Sequence, residues 1–159
     1  LENVIIGAQM NTSSHIVASI LGTPGYRRAE TALREKAMHM LDLMGIAEHA
    51  GAMAGSLPYG LQRRLEIARI LAANPKLLLL DEPAAGMNPQ ESLELVDMIR
   101  NIRKEFGLTI LLIEHDMKVI MNLCDYIYAM ATGEIIAQGL PEQIRSDPKV
   151  IQAYLGRSV

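Results

Sequence analysis

Two adjacent acids, Asp81 and Glu82, close the apolar run Leu77-Leu78-Leu79-Leu80 and are followed by Pro83. Such a run reads as a fully buried parallel strand that delivers carboxylates to its C-terminal edge, where open α/β sheets bind ligands. The two acids suit different work there. Asp81 is placed to hold a hydrated Mg²⁺, an ion that takes few carboxylates and completes its shell with water and phosphate oxygens. Glu82 is placed to polarise an attacking water. His115 follows a second apolar run, Thr109–Ile113, in the kind of loop where catalytic residues collect. The combination points to hydrolysis of a nucleotide. Taken alone, the acids serve equally well as strand-end caps. His15, His39 and His49 have no comparable placement and read as structural.

The elements that must hold these groups follow from periodicity and punctuation. Residues 2–10 read as a helix end, followed by the polar loop Asn11-Thr12-Ser13-Ser14 and a turn at Thr23-Pro24-Gly25. From Arg27 to Met44 a helical face repeats at Leu33, Ala37, Met40, Leu41 and Met44, with Gly45 as its C-cap. Pro58 suits the first turn of a helix carrying Leu61, Leu65, Ala68, Ile70 and Leu71, which Asn74-Pro75 ends. Asn88-Pro89 opens a helix with Leu93, Val96, Ile99, Ile102 and Phe106, stopped by Gly107. Thr109–Ile113 is a second buried strand, and a short helix covers Asp116–Leu123. Tyr126–Met130 and Glu134–Gln138 form a hairpin through Thr132-Gly133, and two short helices around Glu142 and Ile151 follow. Alternating strands and helices imply an α/β sheet, preceded by a helical lobe that has no strand in residues 1–56.

Composition narrows the class. The chain has 159 residues, half of them hydrophobic and 21% charged, which is the profile of a globular domain. A net charge of −3 leaves no electrostatic footprint for nucleic acid. The single cysteine, Cys124, excludes an internal disulfide and reads as a buried, inert thiol. No apolar run approaches the roughly 18 residues needed to span a bilayer, so a membrane role must go through a partner. Ten methionines and no tryptophan suggest a pliable, Met-filled core.

In order along the chain, Leu57-Pro58-Tyr59-Gly60-Leu61, Leu77 to Glu82, Ala84-Ala85-Gly86-Met87-Asn88-Pro89 and His115 resemble the ATP-binding subunit of ABC transporters: its signature, Walker B, D-loop and H-loop. The opening Leu1-Glu2-Asn3-Val4 and the tail from Gly139-Leu140-Pro141 to Ala153-Tyr154-Leu155-Gly156 resemble the subgroup that imports branched-chain amino acids. The resemblance covers the whole chain but only about the last two-thirds of a family member. It implies a truncated P-loop NTPase core with a mainly parallel sheet, divided into a helical lobe with the signature (1–62) and the C-terminal part of the ATPase core (63–159). No Gly-x-x-x-x-Gly-Lys-[Ser/Thr] occurs, so the Walker A half is absent.

The resemblance also assigns roles. Glu82 becomes the general base, His115 the γ-phosphate contact, and Asp81 the Mg²⁺ holder through water. Tyr59, Gly60 and Leu61, with Ala85, Gly86 and Asn88, would face the nucleotide of a second ATPase subunit in a head-to-tail dimer. The family's signature serine, first glycine and glutamine are here Pro58, Tyr59 and Leu61, and its D-loop aspartate is Asn88. ATP and Mg²⁺ are the implied ligands, and membrane permease subunits are the implied partners, at the cytoplasmic face of the membrane. Two other readings stay open: a non-transport ABC ATPase, which would favour a coiled-coil insertion or basic arms not found here, and a regulatory module without ATPase activity. The 159-residue chain by itself is expected to show no measurable ATPase activity and only feeble nucleotide binding, since Mg²⁺ at Asp81 would have no anchored triphosphate to bridge. Low-micromolar ATP binding by calorimetry would contradict this.

Overall fold

The computed structural model describes residues 1–9 and 23–155. The polar loop expected at Asn11–Ser14, His15 and the tail residue Gly156 lie outside them. Two compact units form: Leu1–Leu79 with Asn101–Leu111, and Leu80–Arg100 with Leu112–Val159.

The first unit is built on three helices, α1 (Glu2–Gln9), α2 (Pro24–Leu43) and α3 (Tyr59–Leu71), each packed against the other two. Helix α2 starts where Thr23 Oγ1 accepts from the Tyr26 N–H at 3.3 Å, with Pro24 in the first turn. It ends in a Schellman motif. Gly45 takes φ +65°, its N–H donates to the Asp42 carbonyl, and the Ile46 N–H donates to the Leu41 carbonyl. The expected stripe is buried at Ala37, Met40, Leu41 and Met44. Val4 and Ala8 of α1 and Ile67, Ala68 and Leu71 of α3 are buried as well. Ile70, expected on the buried face of α3, is 38% exposed, because it lies nearly opposite Ala68 on the helix and Ile67 is buried instead. Gly7 brings α1 against α3 so closely that a Cβ there would sit 2.1 Å from the Arg69 carbonyl oxygen.

Strand β1 (Leu77–Asp81) pairs with β2 (Thr109–Ile113), which follows the long helix α4 (Pro89–Phe106). The Thr109 N–H donates to the Lys76 carbonyl at 3.1 Å, and the Glu82 N–H to the Ile113 carbonyl at 2.8 Å, so the two strands run parallel. Helix α4 buries Ser92, Leu95, Val96, Ile99 and Ile102. Leu93 falls outside that stripe and is 50% exposed, contrary to expectation. Gly107 at φ +61° ends the helix, as its sequence position suggests.

The two strands are not fully buried as expected. Burial alternates along β1, with Leu78 and Leu80 inside and Leu77 and Leu79 exposed. On β2, Leu111 and Ile113 are likewise exposed. An all-apolar strand hides its period-2 alternation, since both faces carry the same residue type.

In the second unit, α5 (Met117–Leu123) is capped by Asp116, whose Oδ1 accepts from the Lys118 N–H at 2.7 Å. The antiparallel pair β3 (Ile127–Ala131) and β4 (Glu134–Gly139) forms the second two-stranded sheet. Thr132 at φ +49° and Gly133 at φ +84° supply the two left-handed residues of a type I′ hairpin turn. Helices α6 (Pro141–Ser146) and α7 (Pro148–Val150) follow, then a π-type turn at Ile151–Leu155. Ile127, Ala129, Ile144 and Val150 form a small core, packed by Met117, Ile120, Met121 and the half-buried Cys124. No helix among the described residues is long and apolar enough to cross a membrane.

Two outcomes follow from this packing. Gly7→Ala should destabilise the chain by about 1–3 kcal/mol, because the methyl meets backbone that cannot yield. Gly25→Ala, whose Cβ would meet nothing within 4 Å, should be neutral or slightly stabilising. Thermal unfolding of both variants checks the contrast. The exposed leucines and isoleucine on β1 and β2 should drive the 159-residue chain to self-associate as a dimer or larger species. A clean monomer by light scattering at high concentration would refute that.

Candidate functional site

The polypeptide leaves β1 through a tight turn. Asp81 is the last strand residue, and its side chain is exposed at the strand's C-terminal end. Glu82 extends the strand pairing by one hydrogen bond, through its N–H to Ile113, then adopts φ +44°. That left-handed conformation is rare for a long side chain and costs about 1–3 kcal/mol. Buried Pro83 and Ala84 follow, and the Ala85 N–H closes the turn on the Glu82 carbonyl at 3.1 Å. The strain is sustained because the residues on both sides of Glu82 are fixed.

The loop after β2 meets this turn. His115 Nδ1 lies 3.3 Å from Glu82 Oε1, with the histidine side chain 69% and the glutamate side chain 50% exposed. The two sequence-predicted catalytic groups are therefore in contact, and both face solvent. A contact this exposed contributes little to stability. Its geometry suits groups that meet a ligand.

Beneath them sits a residue to which sequence reasoning gave no role. The side chain of Glu114 is only 2% exposed. Its Oε1 accepts from the Ala84 N–H at 3.1 Å, and its Oε2 from the N–H groups of His115 at 3.0 Å and Asp116 at 3.3 Å. A signal for it exists in the sequence. The alternation of β2 runs on past Ile113, so Ile110, Leu112 and Glu114 share the inner face while Ile113 and His115 point outward. Among the described residues no buried side-chain polar atom lacks a partner.

The segment following Glu82 is ordered by local bonds. Gly86 takes φ +75°, and Asn88 caps α4: its Oδ1 accepts from the Gln90 and Glu91 N–H groups at 3.0 and 2.9 Å. Glu91 Oε2 accepts in return from the Asn88 N–H at 2.9 Å, completing a capping box. Asn88 thus performs the ordinary capping task, with Ala85 half-buried and Gly86 exposed beside it.

The signature segment belongs to the first unit. Pro58 precedes α3, and its carbonyl accepts from the Leu61 and Gln62 N–H groups, both at 3.0 Å. Gly60 and Leu61 are half-buried in the first turn. Tyr59 is 46% exposed, and its hydroxyl accepts from Arg63 Nε and Nη2 at 3.0 and 2.8 Å. Arg63 also pairs with Glu66 at 2.7 Å. The Glu66 carboxylate first, and the Tyr59 hydroxyl after it, raise the guanidinium's pKa above its ordinary value. Arg63 is thus an anchored side chain.

Comparison with known proteins bears on the family and the fold. A sequence profile described as "ABC transporter" matches residues 3–85, and one described as "Branched-chain amino acid ATP-binding cassette transporter" matches residues 134–159. The high-affinity branched-chain amino acid transport ATP-binding protein LivG of Escherichia coli is 45% identical over 158 residues, covering 99% of this chain and 62% of LivG. Its counterpart BraF of Pseudomonas aeruginosa is 44% identical, with the same coverage of 99% and 62%. A solved ATP-binding cassette of an ABC transporter in its ADP conformation superposes with a TM-score of 0.76 at 31% identity, over 98% of this chain and 62% of that one. The chain thus spans about three-fifths of the length of the relatives it matches. With the profile covering more than half of its residues and the solved fold reproduced, the chain belongs to the ABC transporter family, in its ATP-binding part.

Proposed function

We propose that this chain is the signature-to-C-terminus portion of an ATP-hydrolysing subunit that energises import of branched-chain amino acids through separate membrane permeases. The observation that carries the reading is the contact of Glu82 with His115 at the C-terminal ends of two parallel strands. Groups at that edge of an α/β sheet meet ligands, and a carboxylate and an imidazole held together suit proton handling.

In this reading Glu82 accepts a proton from the attacking water, or orients that water in line with the phosphorus. His115, with Nδ1 turned to Glu82, keeps Nε2 for an oxygen of the terminal phosphate. Asp81 contributes one carboxylate to Mg²⁺ through water; bound with the nucleotide, the ion would neutralise phosphate charge. Among the described residues no cluster of three or more His, Cys, Asp or Glu side chains could cage a metal ion. That fits Mg²⁺, which relies on water and phosphate oxygens. Tyr59, Gly60, Leu61, Ala85, Gly86 and Asn88 serve the nucleotide of a second, head-to-tail subunit. Pro58 has no N–H to donate, so the helix dipole of α3 and the Gly60 N–H would carry recognition there. The proposed location is the cytoplasmic face of the membrane, by attachment to the permeases.

The decisive variant is Glu82→Gln in the complete ATPase subunit. The amide keeps the shape of the side chain but cannot take a proton, so turnover should fall by at least about a hundredfold while ATP still binds. Steady-state hydrolysis and equilibrium ATP binding together check this. Near-parent hydrolysis would remove Glu82 from the base role.

A further inference from the structure

We propose that Glu114 is the positioning residue of the Glu82–His115 pair: its buried carboxylate ties the turn that carries Glu82 to the loop that carries His115 and so sets the distance between them. The inference rests on the proposed roles of Glu82 and His115. One oxygen of Glu114 accepts from Ala84, two residues beyond Glu82. The other accepts from His115 itself and from Asp116. The donors therefore belong to two loops separated by an entire helix and strand in sequence, and a single rigid side chain joins them.

The geometry requires two acceptor oxygens. A carboxylate 98% shielded from water is costly unless each oxygen is met by donors, and here three backbone N–H groups meet it. Because carboxylate oxygens only accept, both ends can face N–H groups at once. A glutamine offers one oxygen and one NH₂. Whichever way it turns, an amide nitrogen would confront a backbone N–H, and one of the two loops would be released. Glu82, already in a left-handed conformation, would then lose the clamp that holds its turn. His115 and Glu82 are half or more exposed, so no close packing around them would restore their separation.

The test uses the complete ATPase subunit with Glu114→Gln, Glu114→Asp, Glu82→Gln and His115→Ala, measuring kcat, the ATP dissociation constant and thermal stability. For Glu114→Gln, kcat should fall about 10–100-fold while the ATP dissociation constant stays within about threefold, the signature of misplaced groups rather than a damaged binding site. Combined with His115→Ala and followed in single turnovers, the same substitution should add less than about threefold, because the pair it serves is already broken. Glu114→Asp keeps the charge and both acceptors on a stem one methylene shorter. It should show the same selective loss of kcat, and it carries the test if the glutamine variant does not fold. Parent-level kcat in the folded variants would overturn the proposal. So would a loss that appears as weaker ATP binding, or one that multiplies in full on the His115→Ala background. If Glu82→Gln and His115→Ala themselves leave kcat at the parent level, the reading of the site fails as well. If those two abolish turnover and the Glu114 variants do not, only the role of Glu114 is lost.

Discussion

Parallel pairing of β1 with β2 is the constraint from which the site follows. Two parallel strands end at the same edge, so the residues just beyond Asp81 and just beyond Ile113 must emerge side by side. The hydrogen bond from the Glu82 N–H to the Ile113 carbonyl is the last rung of that ladder. It brings Glu82 and His115 within 3.3 Å, although 33 positions separate them in the chain. An antiparallel pairing would have sent the two loops to opposite ends and left no site.

The site divides its labour between exposed and buried groups. Glu82 and His115, which would meet a ligand, stand in water, and Asp81 is exposed beside them. The groups that hold them lie inside: Pro83 and Ala84 in the turn, and the carboxylate of Glu114 beneath both loops. Such an arrangement lets the outer groups exchange partners while their backbone stays fixed. It also explains how Glu82 tolerates φ +44°, since its N–H, its carbonyl and the next segment are all engaged.

Where the chain departs from the family's usual residues, local chemistry accounts for the replacements. Pro58 cannot donate a hydrogen bond, yet its carbonyl begins α3 by accepting two, and proline suits the extended backbone that precedes a helix. Tyr59 is bulkier than the glycine it replaces and is held to α3 by Arg63 four residues on. Asn88 gives up the negative charge of an aspartate but keeps the acceptor that caps α4.

The sequence by itself determined the elements and the family. Helix ends were legible because they are local chemistry: Gly45, Gly107, Asn88-Pro89 and Thr132-Gly133 fix backbone conformations irrespective of what packs around them. Asp81, Glu82 and His115 were legible as candidates from their place after apolar runs. Tertiary structure alone decided which faces are covered and what holds the site together. Four consecutive leucines cannot reveal that Leu78 and Leu80 turn inward while Leu77 and Leu79 do not, because hydrophobicity carries no alternation there. Nor can alternation along β2, which at most turns Glu114 inward, show that it binds Ala84, since that partner sits in the turn thirty residues earlier and reaches Glu114 only once β1 and β2 have paired.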